Sequence, residues 1–287
     1  MKLHSFQIPI HAEKTRLLPL VKRMLPDVPE YLLREAFQKR DVKVNGERVG
    51  LDATVVPGAE VKIYTRDIQP RQPLLKILYE DDNILVVFKP AGISCEEDSK
   101  GGRTLTQALL VQKPELGQEP LLCHRLDNPT EGLIVLARTE RVHQLLQEAF
   151  RRHQVSKEYI CLVHGTPVKP HALLEHYLVK DARHACVRVT PHPVRDAKEI
   201  VTEYTVIEKG ECARLNIRLH TGRTHQIRAH MAFVGHPVLG DDQYGDRSVN
   251  KQYKARRLML CSVKLRFQLE GELAYLNNKT FEAKPTF

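Results

Sequence analysis

The sequence lacks any apolar run of the roughly 20 residues that a membrane-spanning helix requires. Its first residues mix polar and apolar side chains and lack the apolar segment of a signal peptide. The numbers of glycine and proline residues are also low, at 15 and 17 of 287, while 42% of the residues are hydrophobic. This composition excludes collagen-like, coiled-coil and low-complexity chains. We therefore expect a soluble, cytoplasmic, globular protein that does not act at a membrane.

The sequence also lacks recognisable metal-binding spacings. The six cysteines lie far apart and form no Cys-x-x-Cys pair for zinc or thiol exchange, so we expect reduced and mostly buried thiols. Four histidines follow one another at a spacing of about five, which turns successive side chains away from a common helical face. They are His220, His225, His230 and His236. The sequence therefore predicts no metal site.

Charge gives the first positive indication of a partner. The chain carries 44 Lys and Arg residues against 35 Asp and Glu, which is a formal net charge of +9. Such a balance favours a polyanionic partner, although a merely basic housekeeping enzyme is the alternative. The length of 287 residues suggests about two domains or one large domain.

The amino-terminal part of the sequence predicts two helices followed by strands. Apolar residues recur at helical spacing over residues 15–25 and again between Leu32 and Phe37. An Asn-Gly pair at 45–46 then separates two alternating segments, which is the strongest hairpin signal in the chain. Residues 61–64 alternate like one further strand.

The same region is basic, with eleven Lys and Arg against seven Asp and Glu in residues 14–66. This charge indicates a separate module, although a small helical cap with solvated charges is the alternative. A polar segment with two prolines follows and is typical of a linker. The predicted boundaries are an N-terminal tail over 1–13, the module over 14–66, a linker over 67–74 and one further domain over 75–287.

Beyond the linker, many short strands alternate with a few helices, which predicts an α+β domain. The apolar run 133–137 has the length and the flanking residues of a buried strand. Thr139 can cap the next helix, in which apolar residues recur from Val142 to Phe150. The segment 165–200 gives no clear structural prediction.

Asp127 is the first candidate for chemistry, because it lies at the mouth of the predicted buried strand. A carboxylate there, two positions after Arg125, can be a nucleophile or base that positive charge keeps ionised. The alternative is an aspartate that shapes the Asn128-Pro129 turn, and spacing alone favours that alternative.

A second candidate site follows a half-buried strand over residues 213–220. Thr224 is predicted to cap the next helix. Arg223, His225 and Arg228 would then cluster at a helix N-terminus, where free N–H groups favour an anion. That anion is either a phosphate or the carboxylate of Asp127.

Four ordered blocks of the sequence resemble the signature blocks of RluA-type RNA pseudouridine synthases. They are HRLDNPTEGLIVLAR at 124–138, SKEYICLVHG at 156–165, TGRTHQIRAHMAFVGHPVLGDDQYG at 221–245 and RRLMLCSVKLRF at 256–267. The two helices and the hairpin VKVNGERV resemble the small α/β RNA-binding module named after the ribosomal protein S-four. The resemblance implies an α+β catalytic domain with a mixed, mostly antiparallel central sheet, and a reaction without cofactor or metal.

The resemblance also implies roles for residues of the catalytic domain. Asp127 matches the essential aspartate, which attacks the ribose of the target uridine or otherwise assists cleavage of its glycosidic bond. Tyr159 matches the tyrosine that packs on the base and helps to remove a proton from its new attachment carbon. Arg228 matches the arginine that pairs with the aspartate, and Arg125 matches the arginine that enters the RNA helix beside the flipped nucleotide.

The remaining predicted contacts are also with RNA. The resemblance implies an apolar floor beneath the uracil, and it leaves open whether Leu258 or Leu260 provides the contact. The other candidates for RNA binding are Arg223 and His225 in the catalytic domain and Arg34, Lys39, Arg40 and Lys43 in the basic module.

The sequence departs from the family pattern at Glu131, where the family usually has a small serine. A carboxylate four positions beyond Asp127 can alter the fit of the RNA or the ionisation of the aspartate. Cys261 stands at a position that is frequently histidine. These departures leave the predicted catalytic residues in place and affect the inference about substrate.

The leading hypothesis is that a monomer isomerises uridine to pseudouridine in structured RNA, above all in large-subunit ribosomal RNA. The rival is a non-catalytic RNA-binding or ribosome-assembly factor on the same fold. Asp127, Tyr159 and Arg228 together argue against this rival. A metal-dependent nuclease, the third hypothesis, lacks a ligand set. Which uridine is modified, and whether transfer RNA is also used, stays open.

Overall fold

The computed structural model describes residues 2–12, 15–25, 28, 30–65, 74–96, 103–181 and 186–287. These residues form two compact units, one before and one after the predicted linker. Residues 67–73 of that linker lie outside the described residues. Within the described part of the chain, no helix is long and apolar enough to span a membrane.

The amino-terminal unit packs two helices against a four-stranded antiparallel sheet. Its elements are β1 (Lys2–Gln7), α1 (Leu17–Met24), α2 (Glu30–Gln38), β2 (Val42–Val44), β3 (Glu47–Val49) and β4 (Glu60–Thr65). The strand order is β1-β4-β2-β3. Both predicted helices and the hairpin are confirmed. Asn45 and Gly46 have φ values of 49° and 89°, as a two-residue hairpin turn requires.

The predicted tail over residues 1–13 is wrong for its first half, because β1 pairs with β4 along its whole length. The segment KLHSFQ has few apolar residues and forms a largely exposed edge strand. Backbone hydrogen bonds to β4 hold such a strand, so its side chains give no strong strand pattern in the sequence.

The second unit is built around an eleven-stranded sheet. Its strands and helices are β5 (Lys76–Glu80), β6 (Ile84–Lys89), α3 (Leu105–Gln112), β7 (Leu121–Leu122), β8 (Glu131–Ala137), α4 (Glu140–Arg151), β9 (Val155–His164), β10 (His171–Asp181), β11 (Cys186–Thr190), β12 (Lys198–Glu208), β13 (Cys212–Leu219), α5 (Gln226–Phe233), α6 (Arg247–Gln252), β14 (Leu260–Phe267) and β15 (Thr280–Glu282). Short 3₁₀ helices span Pro114–Leu116 and Gly271–Asn278.

The main strand order is β11-β10-β12-β13-β9-β14-β8-β6-β5, with β15 beside β14 and β7 beside β8. The pair β14 and β8 is parallel, and the other described pairs are antiparallel. This architecture confirms the expected mixed, mostly antiparallel sheet.

The strand β8 is the predicted buried strand, and all seven of its residues are buried. Leu133 and Val135 pack in the core that includes α4, whereas Ile134 and Leu136 pack in the core that includes α3. The hydroxyl of Thr139 caps α4 by accepting a hydrogen bond from the N–H of Val142 at 3.3 Å. Helices on both faces therefore fix the strand that Asp127 precedes.

The segment 165–200, which gave no prediction, contributes β10, β11 and the start of β12. These strands extend the sheet beyond β13, and most side chains of β10 are exposed or half-buried. Only a small cluster, which includes Leu178, Val187 and Val189, packs these strands against α5, so the apolar pattern is short and weak there.

Candidate functional site

Asp127 lies in the turn that leads into β8. Its carbonyl accepts a hydrogen bond from the N–H of Thr130 at 3.0 Å, which closes the turn. The buried ammonium of Lys89 donates to three backbone carbonyls, one of them that of Asn128 at 3.1 Å. Burial lowers the pKa of Lys89 to about 8. The hydrogen bonds of Lys89 therefore connect the turn that contains Asp127 to the loop that follows β6.

Arg228, in the first turn of α5, joins Asp127 to a second carboxylate. Its Nη1 lies 3.3 Å from Oδ2 of Asp127. Its Nε and Nη2 donate to the two carboxylate oxygens of Asp241 at 2.7 and 3.0 Å. The predicted pairing of Arg228 with Asp127 is present, but the bidentate hydrogen bonding of the guanidinium is to Asp241. Arg228 is therefore a bridge between two carboxylates.

The bridge is buried and charged. Burial opposes the charge of Arg228, but the contact with Asp241, together with that of Asp127, outweighs this effect and raises the pKa of the guanidinium. The same contact keeps the pKa of Asp241 below its usual value, although burial acts in the opposite direction. Asp241 also accepts from the N–H groups of Gln243 and Tyr244, both at 2.9 Å. These contacts fix Arg228 before any substrate arrives.

The start of α5 differs from the prediction. His225, and not Thr224, occupies the cap position, with a left-handed backbone (φ 54°) and no capping side chain. A threonine cap needs an extended backbone so that its hydroxyl reaches the first N–H groups of the helix. Here the side chain of Gln226 orders the loop, because its Oε1 accepts from the N–H of Arg223 and the hydroxyl of Thr221.

His225 faces Asp127 as a neutral imidazole, because burial lowers its pKa. The hydroxyl of Tyr244 accepts from the N–H of Val187 at 3.0 Å and lies 2.8 Å from Nδ1 of His225. The Tyr244 hydroxyl therefore holds the His225 ring so that Nε2 faces the cleft. That nitrogen lies 3.9 Å from Oδ1 of Asp127.

A cleft lies between the Asp127 turn, β9 and the start of α5, and Tyr159 and Leu260 line it. Tyr159 stands between Ile217 of β13 and Ser262 of β14 in the sheet. Burial raises the pKa of Tyr159 far above its usual value, so the phenol keeps its proton at neutral pH. Aromatic and aliphatic walls beside a carboxylate suit a flat, partly apolar ring.

Two of the arginines that were predicted to bind RNA border this cleft, and so does one of the two leucines. Arg125 and Arg223 both line it, and the side chain of Arg125 is 55% exposed and pairs with Glu96. Leu260 lines the cleft, whereas Leu258 is buried beside a neighbouring cavity. Of the two alternatives for an apolar floor, Leu260 is thus the residue next to Asp127.

Glu131 is buried at the start of β8 and has its own partners. Its carboxylate accepts from the N–H and the hydroxyl of Thr286 at 2.8 and 2.6 Å, and from Arg257 at 3.4 Å. It lines the neighbouring cavity and not the Asp127 cleft. The departure from the family's serine is therefore accommodated by the carboxyl-terminal segment.

The four basic residues predicted to bind RNA in the amino-terminal unit lie around α2 and β2. Arg34 and Lys39 form ion pairs with Glu30 and Glu35 of the same helix. Arg40 follows α2 with a left-handed backbone, and the ammonium of Lys43 lies 5.8 Å from the ring centre of Tyr64. Their contact with RNA stays a prediction.

The histidines considered as metal ligands bind other groups. His220 pairs with Glu203, and His230 hydrogen-bonds to His176 and to the hydroxyl of Thr202. No group of three or more His, Cys, Asp or Glu side chains that could hold a metal ion lies among the described residues.

Asp241, Tyr244 and Lys89 are the members of the site that sequence reasoning did not single out. Asp241 and Tyr244 lie within the block VLGDDQYG, 13 and 16 residues after Arg228. A carboxylate in a glycine-flanked segment near a buried arginine is a usable signal, because a buried guanidinium needs an acidic partner. The second carboxylate could have been sought on that ground.

Comparison with known proteins gives consistent matches. A family profile described as RNA pseudouridylate synthase matches residues 83–233. A protein of Aquifex aeolicus named uncharacterized RNA pseudouridine synthase is 34% identical over 255 residues, which cover 83% of this chain and 79% of its own. Ribosomal large subunit pseudouridine synthase C of Vibrio vulnificus is 32% identical over 270 residues, which cover 88% and 84%. The structure of human RNA Pseudouridylate Synthase Domain Containing 4 matches with a TM-score of 0.60 and 26% identity, covering 73% of this chain and 88% of that one.

Proposed function

The chain belongs to the RNA pseudouridylate synthase family, and on that basis we propose that it isomerises specific uridines of structured RNA to pseudouridine, with Asp127 as the attacking group. The observation that carries this proposal is the position of Asp127 at the cleft, where a guanidinium anchored on Asp241 holds one carboxylate oxygen. A carboxylate held in this way is oriented for attack.

The arrangement suits an isomerisation. Oδ2 of Asp127 takes the hydrogen bond from Arg228, and Oδ1 is the oxygen nearer to the neutral His225. In the proposed reaction the bond between C1′ of the ribose and N1 of uracil breaks, with attack or assistance from the carboxylate. The detached uracil turns, C5 bonds to C1′, and any bond between C1′ and the carboxylate breaks. One proton then leaves C5 and one is taken up by N1. Atoms and charge balance without a co-reactant.

Tyr159 has a packing and hydrogen-bonding role in this scheme. Its raised pKa rules out a phenolate as the base at neutral pH. Its ring lies in the same cleft wall as Leu260, where a flat base can stack. The carboxylate of Asp127, freed when the new C1′–C5 bond forms, is the base available for the proton on C5.

The substrate is proposed to be large-subunit ribosomal RNA. The similarity to a protein named ribosomal large subunit pseudouridine synthase C supports this choice. Arg125, at the exposed side of the cleft, is the side chain proposed to take the place of the flipped uridine in the RNA stack. The basic amino-terminal unit is proposed to hold RNA beside the target.

The experiment that tests this function is a map of pseudouridines in ribosomal RNA from cells with and without the protein, and from cells that carry Asp127→Asn. We expect defined large-subunit sites to return to uridine both in the deletion strain and in the variant strain. Unchanged sites in all strains would contradict the proposal and favour a non-catalytic RNA-binding or assembly factor.

A further inference from the structure

A second cavity opens beside the Asp127 cleft and shares a wall with it. Arg125, Lys157, Leu219, Gly222 and Arg223 line both cavities. The rest of the second lining comes from the end of α4, the start of β9, the loop before α5 and His124. Among the described residues that line it are three arginines, one lysine and three histidines, and no carboxylate. This second cavity is therefore strongly basic.

Lys157 has no ion-pair or hydrogen-bond partner among the described residues. It lies in β9, two residues before Tyr159, and its ammonium lies 5.3 Å from the ring centre of Phe150. A Cβ placed on Gly222 would lie 3.4 Å from the same ammonium, which locates it under the loop before α5. Burial lowers the pKa of Lys157 to about 8, and no acidic neighbour counteracts that effect. Lys157 is half-buried, and a partly desolvated ammonium without an anion points to a missing partner.

His124 is a second unsatisfied donor of the same cavity. Its Nε2 accepts a hydrogen bond from the N–H of Val135 at 3.1 Å, so the neutral ring carries its proton on Nδ1. Burial holds the pKa of His124 well below its usual value, so the ring is neutral. Its Nδ1 is buried and has no partner in the described part of the chain.

Other cations of this cavity already have acidic partners. Arg125 pairs with Glu96, Arg151 pairs with Glu148, and His220 pairs with Glu203. Lys157, which lies at the shared wall, differs from them because its charge is uncompensated. An anion that reaches this wall is adjacent to the cleft of Asp127.

We propose that the second cavity binds a backbone phosphate of the RNA next to the uridine that occupies the Asp127 cleft, with Lys157 as its principal ligand and Arg223 at its rim. This inference rests on the proposed function, because it takes the Asp127 cleft to hold a uridine of RNA. The two cavities share a wall, so a phosphate bonded to that nucleotide or to its neighbour can enter the second cavity. A phosphate supplies the acceptor oxygens that Lys157 lacks.

The first test uses inorganic phosphate and no RNA, in the catalytically silent Asp127→Asn protein. Phosphate should raise its melting temperature above that in chloride of the same ionic strength. Lys157→Met should abolish this rise and should by itself raise the melting temperature, because it removes an uncompensated and partly desolvated charge. Lys209→Met, an exposed lysine beyond the opposite end of β13, is the matched control and should leave the phosphate effect intact.

The second test measures affinity for a large-subunit ribosomal RNA fragment across a salt series. Lys157→Met should reduce the slope of log affinity against log salt by about 0.7 to 0.9, the value of one phosphate contact. The affinity of the parent protein should fall as pH rises above about 8, where Lys157 loses its proton. Arg125, Arg223 and His124 also face this ammonium. Lys89, whose pKa is also about 8, is present in both proteins, so the fall should be smaller in the variant than in the parent.

A third measurement needs no variant. In wild-type protein with ¹³C-labelled lysine, phosphate should raise the pKa of Lys157 from its value of about 8. Three results would overturn the inference. Phosphate could raise the melting temperature equally in the parent and in Lys157→Met, or leave the pKa of Lys157 unchanged. Lys157→Met could also lose turnover while its RNA affinity and salt slope stay unchanged. If the wild-type protein binds phosphate through Lys157 but forms no pseudouridine, the proposed function is contradicted, whereas the phosphate site is supported.

Discussion

At the scale of single residues, the orientation of Asp127 depends on how Arg228 divides its hydrogen bonds. Two of them go to Asp241 and one goes to Asp127. The bidentate hydrogen bonds to Asp241 are the stronger contact and fix the guanidinium. The remaining N–H of Arg228 orients the carboxylate of Asp127, which faces the substrate. Asp241 is therefore a positioning residue that acts on Asp127 through Arg228.

Arg228→Lys should lower turnover strongly although it keeps the charge. An ammonium cannot donate two parallel hydrogen bonds to Asp241 and also reach Asp127. We expect kcat to fall about 10²-fold or more, with a smaller change in KM. Single-turnover pseudouridine formation would measure it, and Arg214→Lys, which lies on β13 outside the cleft lining, is the control. Equal activity of the lysine variant would show that a diffuse positive charge is enough.

Sequence reasoning located Asp127, Tyr159 and Arg228 because each lies in a recognisable block. Their arrangement at one cleft is a result of the structure. Sequence reasoning did not identify Asp241 or Lys157, because the role of each depends on the residues that surround it in the fold. Asp241 had only the general signal of an acid in a glycine-flanked segment, and a half-buried lysine without an acidic partner has no sequence signature.

At the scale of elements, the close approach of β8 and β14 sets the geometry of the cleft. Gly132 of β8 lies opposite Ser262 of β14, and Ser262 lies opposite Tyr159 of β9. A Cβ at Gly132 would stand 2.3 Å from the carbonyl oxygen of Ser262, and the φ of Gly132 is 122°. A residue without a side chain is therefore required where the turn of Asp127 enters the sheet.

Gly132→Ala should destabilise the second unit by about 2 to 4 kcal/mol, because it combines backbone strain with a clash against backbone atoms. It should also lower turnover, because it pushes Tyr159 away from Asp127. Urea unfolding of the second unit would measure the first effect. Gly210→Ala is the control, because its nearest contact would be an ordinary 3.5 Å. Equal stability of the two variants would contradict the tight approach of β8 and β14.

The elements that the sequence predicted carry local signals. The hairpin has its Asn-Gly turn, β8 has a continuous apolar run, and α4 has a threonine cap with an apolar stripe. The edge strand β1 and the largely accessible strand β10 lack such patterns, because pairing to a neighbouring strand holds them. The predicted cap of α5 was wrong because the fold of the loop, and not the residue type, determines which residue precedes the helix.

At the scale of the whole molecule, the two units have separate cores. The amino-terminal core draws its buried residues from Ile8 to Ile63, and the cores of the second unit draw theirs from Leu75 onward. The described residues of each unit therefore bury their apolar surface within that unit. This separation favours independent folding.

Deletion of residues 1–70 should leave a folded second unit with weaker RNA binding. For every phosphate that the basic unit neutralises, its removal should reduce the salt slope by about 0.9 on duplex or about 0.7 on single strands. The single-turnover rate at saturating RNA should stay close to that of the full chain, because Asp127, Tyr159 and Arg228 remain. An unchanged salt slope together with a collapsed rate would instead make the amino-terminal unit part of the active site.

The most direct measurement of the role of Asp127 is single-turnover pseudouridine formation by Asp127→Asn at saturating RNA. The amide keeps the shape of the side chain and removes the charge, so the rate should fall at least about 10³-fold while the melting temperature and RNA affinity stay near those of wild type. Asp82→Asn, which removes an exposed carboxylate between β5 and β6, should keep the wild-type rate. A near wild-type rate for Asp127→Asn would contradict the assignment of Asp127 as the attacking group.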